Sequence, residues 1–314
     1  MQIQKNPELA RSLPRIWTSL ELINWTKAYF EKQGVECARL EAELLLAAVL
    51  GCPRIRLYVD FEKTVPPDKL NQFREYIKRR GEAREPLQYI LGSTQFIDLQ
   101  LKVSKHVLIP RPETELLALW AVEQVSSLLR TSEPSASEVG TYKALDLCTG
   151  SGCMALYLAS KQPQAQVHAT DASAEALSVA AENASALQLA SRVIFHQGDL
   201  FDALPTEHKG SFDLLIANPP YVDPAACDSL SREVRDHEPP QALFADEKGH
   251  AVINRILAGA DEWLKPGAWL SLEFGFGQAD AVKDRAESVG AFENIEILSD
   301  AAKIQRFIIA RRKF

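Results

Sequence analysis

Apolar residues recur at helical spacing over Leu20–Gln33 and Ala38–Leu50, where strand-forming residues are scarce. Gly34 is placed to stop the first of these helices, and Gly51-Cys52-Pro53 ends the second. Pro66-Pro67-Asp68 then opens a charged helix that runs through Arg80. The pattern predicts a small helical bundle over residues 1–88, with Trp17, Trp25, Tyr29 and Phe30 in its core and no catalytic cluster.

The texture changes between Pro86 and Pro112. Thr94–Val103 alternates in strand fashion after Gly92, and Val107-Leu108-Ile109 runs extended into Pro110, so residues 89–112 read as a hairpin-like connector. A helix follows Arg111-Pro112-Glu113-Thr114-Glu115 to about Arg130, with acids in its first turn where the helix dipole favours them. Thr131–Thr141, rich in Ser, Glu and Gly, reads as a loop. From Lys143 onward strands alternate with helices: Ala144–Leu147, Val167–Thr170, Val193–His196, Phe212–Ala217 and Trp269–Phe274. Ile295–Leu298 and Arg306–Ala310 close the chain with no clear helix between them, so the last strand returns antiparallel. Residues 113–314 are thus an α/β domain on a mainly parallel sheet.

Composition changes this picture little. With 314 residues, 46% hydrophobic and 25% charged, the chain has room for two soluble domains. No long apolar run suits a membrane span, and Met1–Pro7 lacks the apolar core of a secretory signal. Five scattered cysteines with no CxxC pair indicate neither a disulfide framework nor a zinc site, which fits a cytoplasmic, reduced protein. A net charge of −7 argues against broad phosphate binding. The six histidines share no motif or metal spacing, and no metal is expected.

Candidate chemistry collects at predicted strand ends. Phe212–Ala217 stops at Asn218-Pro219-Pro220-Tyr221, a stiff corner because neither proline carries an N–H and each restricts its predecessor. An amide side chain and free carbonyl there suit holding a planar NH2 group beneath an aromatic ring. The first strand ends in Asp146-Leu147-Cys148-Thr149-Gly150-Ser151-Gly152, where glycines allow close approach to a ligand at a helix N-terminus. Gly150-x-Gly152-x-x-Ala155 also matches a dinucleotide fingerprint. Asp171 ends the second strand where a ribose would be held, and Asp199-Leu200 follows the third where an adenine edge would lie. A nicotinamide cofactor would account for the glycines and Asp171, but not for Asp146 or the Asn-Pro-Pro-Tyr corner. A sulfonium cofactor, S-adenosylmethionine, accounts for the acidic lining better.

These motifs together resemble a class I, Rossmann-like methyltransferase, and more narrowly the release factor glutamine methyltransferases (the PrmC or HemK family). The resemblance covers nearly the whole chain and includes Ile109–Glu115, Asp146–Gly152, Asn218–Tyr221 and Glu273-Phe274-Gly275. It implies a mostly parallel seven-stranded sheet with the last strand antiparallel, behind a helical substrate-recognition domain. It further implies methyl transfer to the glutamine side-chain nitrogen in the Gly-Gly-Gln loop of class I peptide chain release factors. Separately from the resemblance, a monomer that binds neither membrane nor, directly, nucleic acid is expected. Carried over residue by residue, Asp146, Cys148, Thr149, Gly150, Ser151, Gly152, Asp171, Asp199, Leu200 and Asn218 meet the cofactor. Asn218, Pro219 and Tyr221 are catalytic, and Pro220, Arg111 and Glu115 join them in gripping the substrate loop.

Two positions depart from the family pattern. Cys148 stands where glycine is usual, and Leu200 where some members carry an aromatic residue. Should position 148 need a positive φ, cysteine there is strained and affinity falls; Cys148 and Cys153 otherwise read as packing residues. Adenine-amino nucleic acid methyltransferases share Asn-Pro-Pro-Tyr, and a sister family that methylates a ribosomal protein has a related but different string at Ile109–Glu115. The acidic balance and the absence of a nucleic-acid module count against the first, and the intact motifs count against a catalytically silent scaffold.

Overall fold

The computed structural model describes residues 16–131 and 142–314. Its chain divides into two compact units between Leu91 and Gly92. The first unit is helical: Ser19–Lys32, Ala38–Leu50, Arg54–Val59, Pro67–Gly81 and Leu87–Leu91. Thr18 and Glu21 form a capping box at the first helix, and Gly51 ends the second in the left-handed conformation its missing Cβ allows. Phe30, Leu45, Leu46 and Phe73 fill the core. Trp25, expected in that core, is instead 50% exposed and stacks face to face on Tyr29 at 5.6 Å. The helical period alone did not separate a wide apolar stripe from its rim.

The second unit opens with a two-stranded antiparallel hairpin, β1 (Ser93–Phe96) and β2 (Leu99–Lys102). Val107-Leu108-Ile109 joins no strand, although Val107 and Ile109 are buried. After the helix Pro112–Thr131 come β3 (Tyr142–Leu147), β4 (Ala165–Asp171), β5 (Val193–Gln197), β6 (Phe212–Ala217), β7 (Leu264–Glu273), β8 (Phe292–Ser299) and β9 (Gln305–Arg312). Thr131 ends that helix; the rest of the loop expected over Thr131–Thr141, and Met1–Pro7, lie outside the described residues.

These seven strands form one sheet in the order β5-β4-β3-β6-β7-β9-β8, parallel except for β9, which runs antiparallel to both neighbours. Helices cover both faces, so β6 is buried on both sides as its unbroken apolar run requires. Leu214 and Ile216 pack toward one helical layer, and Leu215 and Ala217 toward the other. β7 begins five residues before the stretch the sequence marks, because Lys265-Pro266-Gly267 is absorbed in an irregularity against β6 rather than ending the strand. The chain winds outward from β3 to β5, then returns to β6 on the other side. Strand order therefore reverses between β3 and β6, and a parallel sheet opens a crevice at the carboxyl ends of those two strands.

Candidate active site

Both predicted motifs sit at that crevice, since Leu147 and Ala217 are register partners at the ends of β3 and β6. On the β3 side the backbone turns through three left-handed residues: Cys148 (φ 58°), Gly150 (φ 56°) and Gly152 (φ 81°). Gly152 is needed for space as well, because a Cβ there would lie 3.1–3.2 Å from Leu156 and Ala180; Gly150 has open space and answers only to its φ. Asp171 closes the loop from β4. Its Oδ2 accepts from the Gly150 N–H and its Oδ1 from the Ser173 N–H, each at 2.9 Å. Burial pushes its carboxyl up against those two bonds.

Asp146 lies beneath the loop, fully buried. Its Oδ2 accepts from the Thr149 hydroxyl at 2.7 Å and the Ala155 N–H at 3.2 Å, while Oδ1 has no partner. Burial pushes this carboxyl up to about 7. Cys153 is likewise pushed up, to about 12, and Cys148 well above the usual thiol range, in both cases chiefly by burial. Both thiols stay protonated, with Cys153 buried in one core cluster of the sheet and Cys148 packed against the other. Asp199 is paired with Arg255 at 2.8 and 3.2 Å, and Leu200 is buried at φ 48°.

A cavity of about 300 Å³ is lined by Cys148, Thr149, Gly150, Ser151, Asp171, Asp199, Leu200, Asn218 and Pro220 among the expected residues. Asp146, Gly152, Pro219, Tyr221, Arg111 and Glu115 are not on its wall. Carboxylates, backbone turned by positive φ, and the apolar Leu108, Met154 and Val252 make a site for a nucleoside carrying a cationic tail. The unpartnered Asp146 oxygen adds a buried carboxyl next to that loop. The residues present fit S-adenosylmethionine.

On the β6 side the polar groups behind Asn218 are bonded to one another. Asn218 Nδ2 donates to Thr114 Oγ1 at 2.9 Å, and the Thr114 hydroxyl donates to Glu273 Oε2 at 2.7 Å. The Tyr221 hydroxyl donates to Glu273 Oε1 at 3.1 Å. Glu273 is 1% exposed and its carboxyl is pushed up to about 7, mainly by burial; burial beside Glu273 also raises the Tyr221 phenol. Gln278 donates to the Tyr221 carbonyl at 3.0 Å and accepts from the Gly275 N–H at 2.8 Å. Gly249, at φ 87°, passes so close that a Cβ would lie 2.1 Å from the Tyr221 carbonyl oxygen.

The sequence did not single out Thr114, Glu273 or the Pro239–Phe244 wall as site residues. Thr114 and Glu273 were visible only as members of longer strings. Arg111 forms an ion pair with buried Glu238 at 2.7 Å, and Glu115 accepts from the Ile97 N–H at 2.8 Å, so both have partners within the fold. Three of the histidines meet in the fold. His168 Nδ1 lies 2.9 Å from His196 Nε2, the His208 ring is 4.5 Å from His168, and His168 Nε2 is buried without a partner. Adjacent strands β4 and β5 bring the first two together, which no linear spacing reveals. Burial, then His208 and His196, push His168 down to about 4. Among the described residues no cluster of three or more His, Cys, Asp or Glu is arranged to hold a metal.

Known proteins place this geometry. Residues 21–92 match the PrmC N-terminal domain family, and residues 122–257 match the methyltransferase small domain family. The release factor glutamine methyltransferase of Rhodopirellula baltica is 37% identical over 93% of this chain and 95% of its own length. That of Moorella thermoacetica is 42% identical over 89% of this chain and 93% of its own, and that of Geobacter sulfurreducens 41% over 86% and 88%. Among solved structures, the methyltransferase domain of METTL16 overlays with a TM-score of 0.50 over 76% of this chain and 92% of that one at 17% identity, a likeness of fold. The chain belongs to the release factor glutamine methyltransferase family.

Proposed function

We infer that this protein transfers a methyl group from S-adenosylmethionine to the side-chain amide nitrogen of the glutamine in the Gly-Gly-Gln loop of class I release factors. The observation that carries the reading is the adjacency of the Asn218–Tyr221 corner and the Asp146–Gly152 loop at the β3/β6 crevice, in a chain related to such enzymes over most of its length.

S-adenosylmethionine supplies an electrophilic methyl group on a good leaving group. The difficulty lies with the amide nitrogen, whose lone pair is delocalised into its carbonyl. Asn218 Oδ1 and the Pro219 carbonyl each accept one N–H of the substrate amide, which aims the nitrogen and favours loss of planarity. Tyr221 stacks on the amide plane. Two preorganised neutral acceptors also stabilise positive charge developing on nitrogen. Positioning of this kind contributes on the order of 7–11 kcal/mol when the geometry is near-attack. The product proton is acidic enough to leave to water, so no histidine base is needed. Arg111 and Glu115, each held within the fold, shape the connector that meets the substrate loop.

No helix among the described residues is long and apolar enough to cross a membrane. We place the enzyme in the cytoplasm as a monomer acting on a protein substrate. Tritium transfer from labelled S-adenosylmethionine to release factor, beside the same factor with its loop glutamine changed to alanine, tests the reading. Label on the first and none on the second is expected. Label on neither, with cofactor binding intact, would redirect the search to ribosomal protein or nucleic acid.

A further inference from the structure

An asparagine amide has an oxygen that accepts and a nitrogen that donates, and the two ends are nearly the same size. A site that must accept N–H groups works in only one of the two flips. The alternative presents an NH2 to an NH2. Something must therefore hold Asn218 the right way round, and the corner itself, made of two prolines, offers no N–H to do so.

The bonds behind Asn218 supply the constraint. An ionised carboxylate can only accept, so Glu273 draws in the protons of both its neighbours, Thr114 at 2.7 Å and Tyr221 at 3.1 Å. With its one proton spent on Glu273, the Thr114 hydroxyl has only lone pairs left for Asn218 and accepts from Nδ2 at 2.9 Å. Oδ1 is then left for the substrate. Thr114 and Glu273 are 2% and 1% exposed, so water does not compete for these bonds. We propose that Thr114 and Glu273 are positioning residues that fix the flip of the Asn218 side-chain amide and thereby set the hydrogen-bond polarity of the site toward a substrate carboxamide. The proposal rests on the reading that the substrate amide meets Asn218.

Protonating Glu273 removes the constraint, because the acid can donate to Thr114 and release the threonine proton toward Asn218. Besides Thr114 and Tyr221, the charged groups acting on Glu273 are Glu113, which opposes ionisation, and Arg306, which favours it. Arg306 is itself paired with Asp300 at 3.3 Å.

The test pairs kinetics with a measurement that needs no substrate. Thr114→Val keeps the shape and removes the hydroxyl; kcat should fall about 10- to 100-fold, less than the roughly 100- to 1000-fold for losing a dipole that itself touches the reacting centre, with the KM for S-adenosylmethionine within about twofold. Thr114→Ser should restore kcat to within about threefold, since it returns the hydroxyl. Wild-type kcat should rise with pH through about 7, where Glu273 ionises, and Glu273→Gln should lose that limb. In parallel, the Asn218 side-chain amide is followed by 15N–1H NMR with S-adenosylhomocysteine bound. Its two protons should be shifted and slow to exchange in the wild type and in Thr114→Ser, and ordinary in Thr114→Val. An unchanged kcat in Thr114→Val, no rescue by serine, or an Asn218 amide identical in all three proteins would each overturn the proposal. If wild-type enzyme leaves release factor unlabelled while the amide shifts follow the expected pattern, the substrate reading fails and the positioning role stands.

Discussion

The two sides of the crevice are built on opposite plans. On the cofactor side the chain leaves things undone. Asp146 Oδ1 is buried without a partner, and two residues that carry a Cβ, Cys148 and Leu200, sit at φ 58° and 48°. On the amide side every polar group behind Asn218 is bonded, from Thr114 through Glu273 to Tyr221, and Gln278 and Gly249 confine the Tyr221 backbone. An incomplete site gains when a ligand completes it, so changes there should register in affinity. A completed one has its geometry before substrate arrives, so changes there should register in rate.

Asn218→Ala should have the largest effect. It removes an acceptor that acts on the reacting nitrogen, and kcat should fall by about 10³-fold or more. Cofactor affinity measured by calorimetry should stay within a few-fold. An affinity loss as large as the rate loss would dissolve the division of labour between the two sides.

How much of this was visible in the chain depends on the distance between the partners. β6 runs over the same residues the apolar pattern marks, and both motifs lie at its end and at the end of β3, because each is one strand plus the turn that stops it. Contacts made across long stretches of chain left no trace. Thr114 and Glu273 are 159 residues apart, and Arg111 and Glu238 are 127 apart. His168 and His196 meet only because β4 and β5 are neighbours. The conformation at Cys148 was legible as a condition on φ, and the structure meets that condition.

A second, smaller effect should appear at Asp146, on the cofactor side. Its carboxyl is raised from 3.8 to about 7 by burial. Below 3.8 both folded and unfolded chains hold the proton and burial carries no penalty. Between there and about 7 the unfolded chain ionises first, so stability falls as pH rises; above that the loss is constant. At about 1.4 kcal/mol per unit, the full loss is roughly 4 kcal/mol as an upper limit. Glu273 adds a loss of the same sign over a similar range. Asp146→Asn should therefore melt higher than wild type at pH 8, with the gap closing toward pH 4, in thermal scans of the free protein. It should also bind S-adenosylmethionine about tenfold more weakly, through loss of the buried carboxylate oxygen left unsatisfied beneath the loop. Added cofactor should then raise the melting temperature of the wild type more than that of the variant. Equal shifts would mean that the unpartnered oxygen plays no part in binding.

The smallest effect should come from Cys148→Gly, although cysteine at a positive φ is the most visible departure on the cofactor side. Relief of the left-handed strain favours the glycine by about 1–2 kcal/mol. Against it stand the greater freedom of glycine in the unfolded chain, about 0.5–1 kcal/mol, and the packing of the side chain against the core, about 0.8 kcal/mol for a group the size of a methylene. These nearly cancel, and the melting temperature should move by no more than about 4 °C in either direction. Affinity should change even less, against the expectation that cysteine at a positive φ weakens binding. The φ of 58° is present in the free protein, so the strain is borne by the fold and is the same on both sides of the binding equilibrium. Only a difference between free and bound states can change an affinity, and within about threefold none is expected. A gain of tenfold or more in Cys148→Gly would show that the loop tightens further when the cofactor binds, and that cysteine resists that step.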